Sequence, residues 1–256
     1  MKVSYLTPAN IVSEYVKSIL VIENSRVTNP FVLPLFANGT PTLLFQTVKG
    51  QIKNNSNYLT LFGQTVLPDT LTIHDNFTLI AYFFKPYSVN SLFGVLAQEL
   101  TDNPIDLKLL SSTKTAELLE QLLNASSTGK MISLLDNYIF RLAANVKNDT
   151  PLIKYATHQI AITPRKEILA AVQDKLCVTE RTFQRMFEKN IGISPNQFRR
   201  IAQFNSAFQQ LNRRQFTKMS DIVFGNGYAD QSHYIRAFKE FTNITPMEYM
   251  NLGSQR

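Results

Sequence analysis

The sequence predicts an α+β multidomain protein with three parts. These are an N-terminal β-rich, barrel-like domain, a helical linker, and an all-α C-terminal domain of two helix-turn-helix subdomains joined by a long helix. Three observations carry that expectation. Short β-branched and aromatic runs separated by turn residues dominate the first hundred residues. After Pro86 the apolar spacing becomes helical, and the last hundred residues match themselves at an offset of 51. At 256 residues, 44% hydrophobic and 18% charged, the chain is neither disordered nor collagen-like and can bury proper cores.

The strands come first. Thr42 to Val48 follows the Asn38-Gly39 turn signal and is expected to stop at Gly50. Tyr58 to Phe62 follows the Asn/Ser-rich stretch 54–57, and Leu71 to Ile73 and Phe77 to Phe84 flank His74-Asp75-Asn76. Such runs between turn residues suggest a small barrel or sandwich. Core packing is the default role of Phe31, Phe36, Phe45, Phe62, Tyr82 and Phe84, with a pocket as the alternative.

Pro104 and Asp106 then precede an expected helix from Leu107 to Leu123. A second amphipathic stretch places Met131, Leu134, Leu135, Tyr138, Ile139 and Leu142 on one face. That face suits either a homodimer, which the reading slightly favours, or packing on the barrel. The polar run 147–150 before Pro151 marks a boundary, giving domains 1–103, 104–150 and 151–256.

Charge separates these parts. Residues 1–150 carry 11 Lys/Arg against 11 Asp/Glu, whereas 151–256 carry 15 against 8, so the whole net charge of +7 lies in the C-terminal region. That asymmetry hints at a polyanion partner. No apolar run approaches the roughly 18–20 residues of a membrane span, and the first residues lack a secretory apolar region. The single cysteine, Cys177, excludes an intrachain disulfide framework. A cytoplasmic location and no membrane partner are expected.

The internal repeat is specific. Phe183, Arg185, Phe187, Ile193, Ser194, Pro195 and Phe198 lie over Tyr234, Arg236, Phe238, Ile244, Thr245, Pro246 and Tyr249. In the second unit Ser220 is a candidate N-cap for a short helix, and Gly225-Asn226-Gly227 supplies a sharp turn. Asp230 can cap a second helix with Tyr234, Ala237, Phe238 and Phe241 inward and Gln231, Ser232, His233, Ile235 and Arg236 on the remaining face. In the first unit Thr179 can cap a helix with Phe183, Met186 and Phe187 inward and Arg181, Thr182, Gln184 and Arg185 outward. Arginine can grip guanine in a bidentate fork and glutamine can pair with adenine, so these faces suit a major groove. Ser194-Pro195 starts a connecting helix with Phe198, Ile201, Phe204, Phe208 and Leu211 on one side. Arg199, Arg200, Arg213 and Arg214 read as solvated charges on that helix and its end.

Asp221-Ile222, Gly227-Tyr228, Asp230-Gln231-Ser232-His233-Tyr234, Arg236-Ala237-Phe238-Lys239, Ile244-Thr245-Pro246 and Tyr249 together resemble the second helix-turn-helix of AraC/XylS-type transcription regulators. Thr179-Glu180-Arg181, Gln184-Arg185-Met186-Phe187 and Gly192-Ile193-Ser194-Pro195 resemble the first. The resemblance covers about residues 152–250. It implies a sequence-specific regulator that binds double-stranded promoter DNA through successive major grooves and acts on RNA polymerase. The implied DNA-contacting residues are Arg181, Thr182, Gln184, Arg185, Gln231, Ser232, His233 and Arg236. It also implies an N-terminal domain that binds a small-molecule effector or dimerises. Cys177 and Asn243 depart from the family pattern by replacing glycines, and Asn226 is unusually polar beside the turn glycine. A small buried hydrophobe is the expected role of Cys177.

No catalytic or metal residues and no cofactor are expected. Paired carboxylates on a recognisable scaffold, a nucleophile elbow and a Gly-rich phosphate loop are missing, and His74 stands alone in the β-rich part. The competing reading is a ligand-binding barrel whose helical C-terminus contacts another protein.

Overall fold

The computed structural model describes residues 1–53, 55–110, 112–146 and 151–253, with the side chains of 112–114 and 252–253 outside the description. The boundary expected at 147–150 therefore lies outside the described residues.

The N-terminal region is an antiparallel sheet of eight strands: β1 (Lys2–Leu6), β2 (Val16–Asn24), β3 (Phe31–Leu35), β4 (Thr42–Ile52), β5 (Asn55–Phe62), β6 (Asp69–Ile73), β7 (Phe77–Phe84) and β8 (Ile105–Asp106). They run β1-β2-β7-β4-β5-β8, and the far end of β4 also pairs with β6, which pairs with β3. A register irregularity between Phe45 and Gly50 lets β4 serve both arms, so this strand passes through Gly50 instead of stopping there. Gly50 permits the crowding: a Cβ there would lie 2.5 Å from Leu71 Cδ1 and 2.9 Å from Ile73 Cγ1.

Both faces of this sheet are covered, which explains why β7 reads as a continuous apolar run. Ile80, Tyr82 and Phe84 join Ile19, Val21, Leu43 and Phe45 on one face, while Leu79 and Ala81 join Leu20, Ile22 and Leu44 on the other. The second face is closed by β3 and β6 through Phe31, Leu33, Leu71 and Ile73. The first is covered by α1 (Ser88–Phe93), α2 (Ser112–Leu123) and α3 (Thr128–Ala143). Met131, Leu135 and Ile139 of α3 are buried on the sheet, so the apolar stripe offered to a second copy is occupied within the chain. Tyr82 fixes α3 by donating to Asp136 Oδ1 (2.9 Å) and to the Ile132 carbonyl (3.1 Å). The helix expected from Leu107 begins later, because Ile105–Asp106 pairs with β5 and Leu107–Leu109 forms a single 3₁₀ turn.

The C-terminal region contains α4 (Pro151–Ile162), α5 (Ile168–Leu176), α6 (Glu180–Asn190), α7 (Pro195–Asn212), α8 (Met219–Gly225), α9 (Gln231–Thr242) and α10 (Pro246–Gly253). Ser194 caps α7 through the Gln197 amide, and Pro195 stands in its first turn. Phe198, Ile201, Phe204 and Leu211 are buried along α7, with Phe208 partly so. No described helix is long and apolar enough to cross a membrane.

The two regions are packed together. Ala37, Val66 and Tyr87 belong to the same core as α7, and the Phe36 ring lies 5.7 Å from Phe208 and 6.4 Å from Tyr249. Thr101 Oγ1 donates to the Gly192 carbonyl at 3.0 Å. At Gly192 (φ +95°) an added Cβ would meet the Ala97 carbonyl oxygen at 2.6 Å. The Gly192→Ala variant is therefore expected to lose more than about 1 kcal/mol, since strain and a backbone clash combine. Chemical denaturation of the full chain measures this, and an unchanged midpoint would show that the contact gives way freely.

Candidate nucleic-acid interface

Each helix-turn-helix is built by a cap, a turn and a buried stripe. Thr179 accepts from the Thr182 amide at 3.3 Å and starts α6, whose Phe183 and Phe187 are buried with rings 5.0 Å apart. Asp230 accepts from the His233 amide at 2.7 Å and starts α9, whose Tyr234, Ala237, Phe238 and Phe241 are all buried. The start of α8 differs from the expected Ser220 cap. Asp221 accepts from the amides of Thr217 (3.0 Å) and Lys218 (2.7 Å), so the N-cap moves back to Lys218 and Ser220 lies inside the helix. A carboxylate reaching two free amides outcompetes a single hydroxyl there.

The turns depart from the glycine pattern in one shared way. Gly227 takes φ +74°, whereas Gly225 and Asn226 do not need positive φ. Cys177 closes α5 at φ +52° and Asn243 closes α9 at φ +64°, both in the left-handed region. Asn tolerates that region; cysteine gains nothing from it. Cys177 is exposed, not buried, because the left-handed cap turns its side chain out to solvent. Asn226 is absorbed by α7: its amide nitrogen donates to Gln210 Oε1 (2.8 Å) and its carbonyl accepts from Gln203 (3.0 Å).

The outward faces hold the residues named from sequence. Arg181, Thr182 and Arg185 are exposed on α6, and Gln231, Ser232 and Arg236 are exposed on α9. The acids that could have neutralised the arginines are engaged elsewhere. Glu188 accepts from Gln184 (2.7 Å), and Glu240 pairs with Arg200. Arg181, Arg185 and Arg236 make no ion pair among the described residues. Two of the eight candidates are otherwise occupied: Gln184 by Glu188, and His233 by an edge-on contact with Tyr228 (5.2 Å) and a long hydrogen bond from the Ala229 amide. On the α6 side, Arg181, Thr182 and Arg185 line a cleft of about 560 Å³ whose opposite wall is Leu96 and Gln98 of the N-terminal region.

Sequence reasoning misplaced two arginines of α7. Arg199 is only 4% exposed. Its guanidinium donates to the Pro164 carbonyl, Gln203 Oε1 and Asn196 Oδ1. Burial is the first cause that pushes its pKa down, followed by the neighbouring charge of Arg200. Arg200 is paired with Glu240 and lies over the Phe241 ring.

Residues 172–251 match a family model described as a helix-turn-helix domain, and residues 4–106 match one described as a domain of unknown function, DUF6597. The transcriptional activator RhaR of Escherichia coli (strain K12) is 27% identical over 124 residues, 48% of this chain and 38% of RhaR. Over its C-terminal part the chain is thus similar to helix-turn-helix transcription activators. The RhaR of Shigella flexneri matches equally, and the chain covers about two-fifths of the length of these relatives. Among solved structures, ToxT from Vibrio cholerae shares the fold at 12% identity, with a TM-score of 0.51 over 87% of this chain and 97% of that one. ToxT of V. cholerae O395 gives 12% identity and a TM-score of 0.50, covering 91% and 96%.

Cys177→Gly is expected to stabilise the chain by about 1 kcal/mol, because it removes a left-handed non-glycine residue at an exposed helix end. Urea denaturation reads the change. A loss of stability would mean that the long Sγ contact to the Asp174 carbonyl (3.6 Å) outweighs the strain.

Proposed function

We propose that this protein is a sequence-specific DNA-binding transcription regulator that places α6 and α9 in successive major grooves of promoter DNA. The observation that carries the reading is the presence of two equivalent, exposed arginines, Arg185 and Arg236, neither of which has an ion-pair partner among the described residues. A surface that served only solubility would be expected to let Glu188 and Glu240 neutralise them. Gln231, Ser232 and Arg181 supply further donors on the same faces, and the amides at each helix start suit phosphates. Helix α7, with 18 residues, is about 27 Å long, of the order of the roughly 34 Å turn that separates successive grooves.

The N-terminal region serves in this reading as a regulatory domain. Between α2 and α3 it holds a groove of about 340 Å³ in which Leu118, Leu134, Tyr138 and Leu142 meet polar groups of Glu117, Gln121, Asn137, Arg141 and Asn145, a size suited to a small-molecule effector. The strands themselves enclose packed side chains, so the barrel interior is not the favoured place. RNA polymerase is the partner through which such a regulator would act, in the cytoplasm. A homodimer built on the α3 stripe would require that helix to leave the sheet.

Selection of bound sequences from random duplex DNA with the full chain tests the reading, and retention of no sequence at low salt would remove it. With the selected site, Arg236→Ala is expected to cost about 1–3 kcal/mol and to relax the preference at one base pair. Unchanged affinity would take Arg236 out of the reading surface.

A further inference from the structure

Between the two helix-turn-helix units lies a crevice of about 230 Å³ that none of the base-reading roles explains. Its walls include Lys166 before α5, Arg199 and Arg200 on α7, Tyr228 before α9, and His233 on α9. No carboxylate lines it. A water molecule takes about 30 Å³ of liquid, so the space admits a small polyatomic ion with some of its hydration.

Two buried groups in this crevice are left unsatisfied. Arg199, 4% exposed, is hydrogen-bonded to neutral oxygens only: the Pro164 carbonyl (3.0 Å), Gln203 Oε1 (2.9 Å), and Asn196 Oδ1 from both Nε (3.3 Å) and Nη2 (3.2 Å). A guanidinium has five N–H donors, so one on Nη2 has no acceptor among the described residues. It also has no carboxylate within ion-pair distance there. Glu240 is held by Arg200, and Glu167 acts on Arg199 only from beyond ion-pair distance. A buried cation without an ion-paired counter-charge is costly, and arginine does not escape the cost by losing its proton. The second group is Tyr228, also 4% exposed, whose hydroxyl has no hydrogen-bond partner. Its ring is clamped between His233 and Tyr234, each 5.2 Å away.

We infer that this crevice is a binding site for a phosphate-type oxyanion, held by Arg199, Arg200, Lys166 and the Tyr228 hydroxyl. Three cations face one space without a carboxylate in its lining, and because Arg200 is paired with Glu240 the uncompensated charge comes from Arg199 and Lys166, which suits a doubly charged tetrahedral anion. The one free Nη2 N–H of Arg199 and the Lys166 ammonium can each donate to a phosphate oxygen, and Tyr228 can donate its hydroxyl proton to a third. The phosphate has two conceivable sources, free phosphate or the DNA backbone running between the two grooves. Only the second rests on the DNA-binding reading.

The test uses the full chain, inorganic phosphate as probe, and two variants that spare the fold: Tyr228→Phe, which removes only the hydroxyl, and Lys166→Gln on an exposed side chain. Phosphate stabilises proteins generally by exclusion from their surface, so the readout is the difference between chains. Replacing chloride by phosphate at equal ionic strength is expected to raise the unfolding midpoint more in the wild type than in either variant. Equal rises in all three overturn the site and leave a water-filled crevice. A second arm follows binding of a short duplex. Weaker duplex binding in phosphate than in matched chloride, with the salt slope lowered by about one in Lys166→Gln, assigns the site to the DNA backbone. Duplex binding equal in both salts, with the midpoint difference retained, assigns it to free phosphate. If no duplex binds while that difference persists, the DNA reading falls and the oxyanion site stands.

Discussion

A single buried row on α7, formed by Phe198, Ile201, Phe204 and Leu211, ties together parts of the chain that could otherwise move independently. Phe198 meets Phe187 of the first helix-turn-helix at 5.8 Å, and Phe204 meets Phe238 and Phe241 of the second at 5.6 and 5.1 Å. Each such ring contributes about 1.5–3 kcal/mol by burial, so losing one would consume a large share of a typical stability of about 5–15 kcal/mol. The same helix receives the N-terminal region through Phe36 and Gly39. The relative placement of α6 and α9, on which the proposed simultaneous entry into two grooves would depend, is thus set by one packing surface.

That dependence explains how polar residues are distributed around α7. Gln203 connects Arg199 to the Asn226 carbonyl, and Gln210 accepts from the Asn226 side chain. The turn of the second unit is therefore tied to the helix by directional bonds as well as by rings. Apolar packing fixes distance well and rotation less well, whereas hydrogen bonds at Gln203 and Gln210, two turns apart on α7, help fix the angle at which α9 is presented. The unusual asparagine beside Gly227 has a structural function in orienting the reading helix.

The C-terminal fold was largely legible because its signals are local. Thr179, Ser194 and Asp230 cap the helices that follow them, and period-3.6 stripes mark their buried faces. The first strands were not legible for physical reasons. β2 is buried on both sides and so lacks alternation, β3 contains Pro34, and β1 is a largely exposed edge strand. The run from Leu107 was read as helix because a short apolar segment fits either period, and pairing of Ile105 with Leu61 decides it. At the interface, the sequence indicated which residues face outward but not which acids are engaged. The burial of Arg199 depends on Pro164, 35 residues earlier, and no local pattern reports that contact.

The positive charge of the C-terminal region accordingly divides by environment. Arg181, Arg185 and Arg236 keep their hydration and flexibility, so bringing them to a polyanion costs mainly side-chain entropy and released water. Arg199 has already lost its water on folding, and burial together with Arg200 makes its charged state less favourable. Because guanidinium stays protonated, an anion bound beside it would offset that disfavour. The exposed arginines would therefore supply the proposed selectivity at little cost to the free protein, whereas the buried one carries a desolvation penalty that the proposed anion would offset.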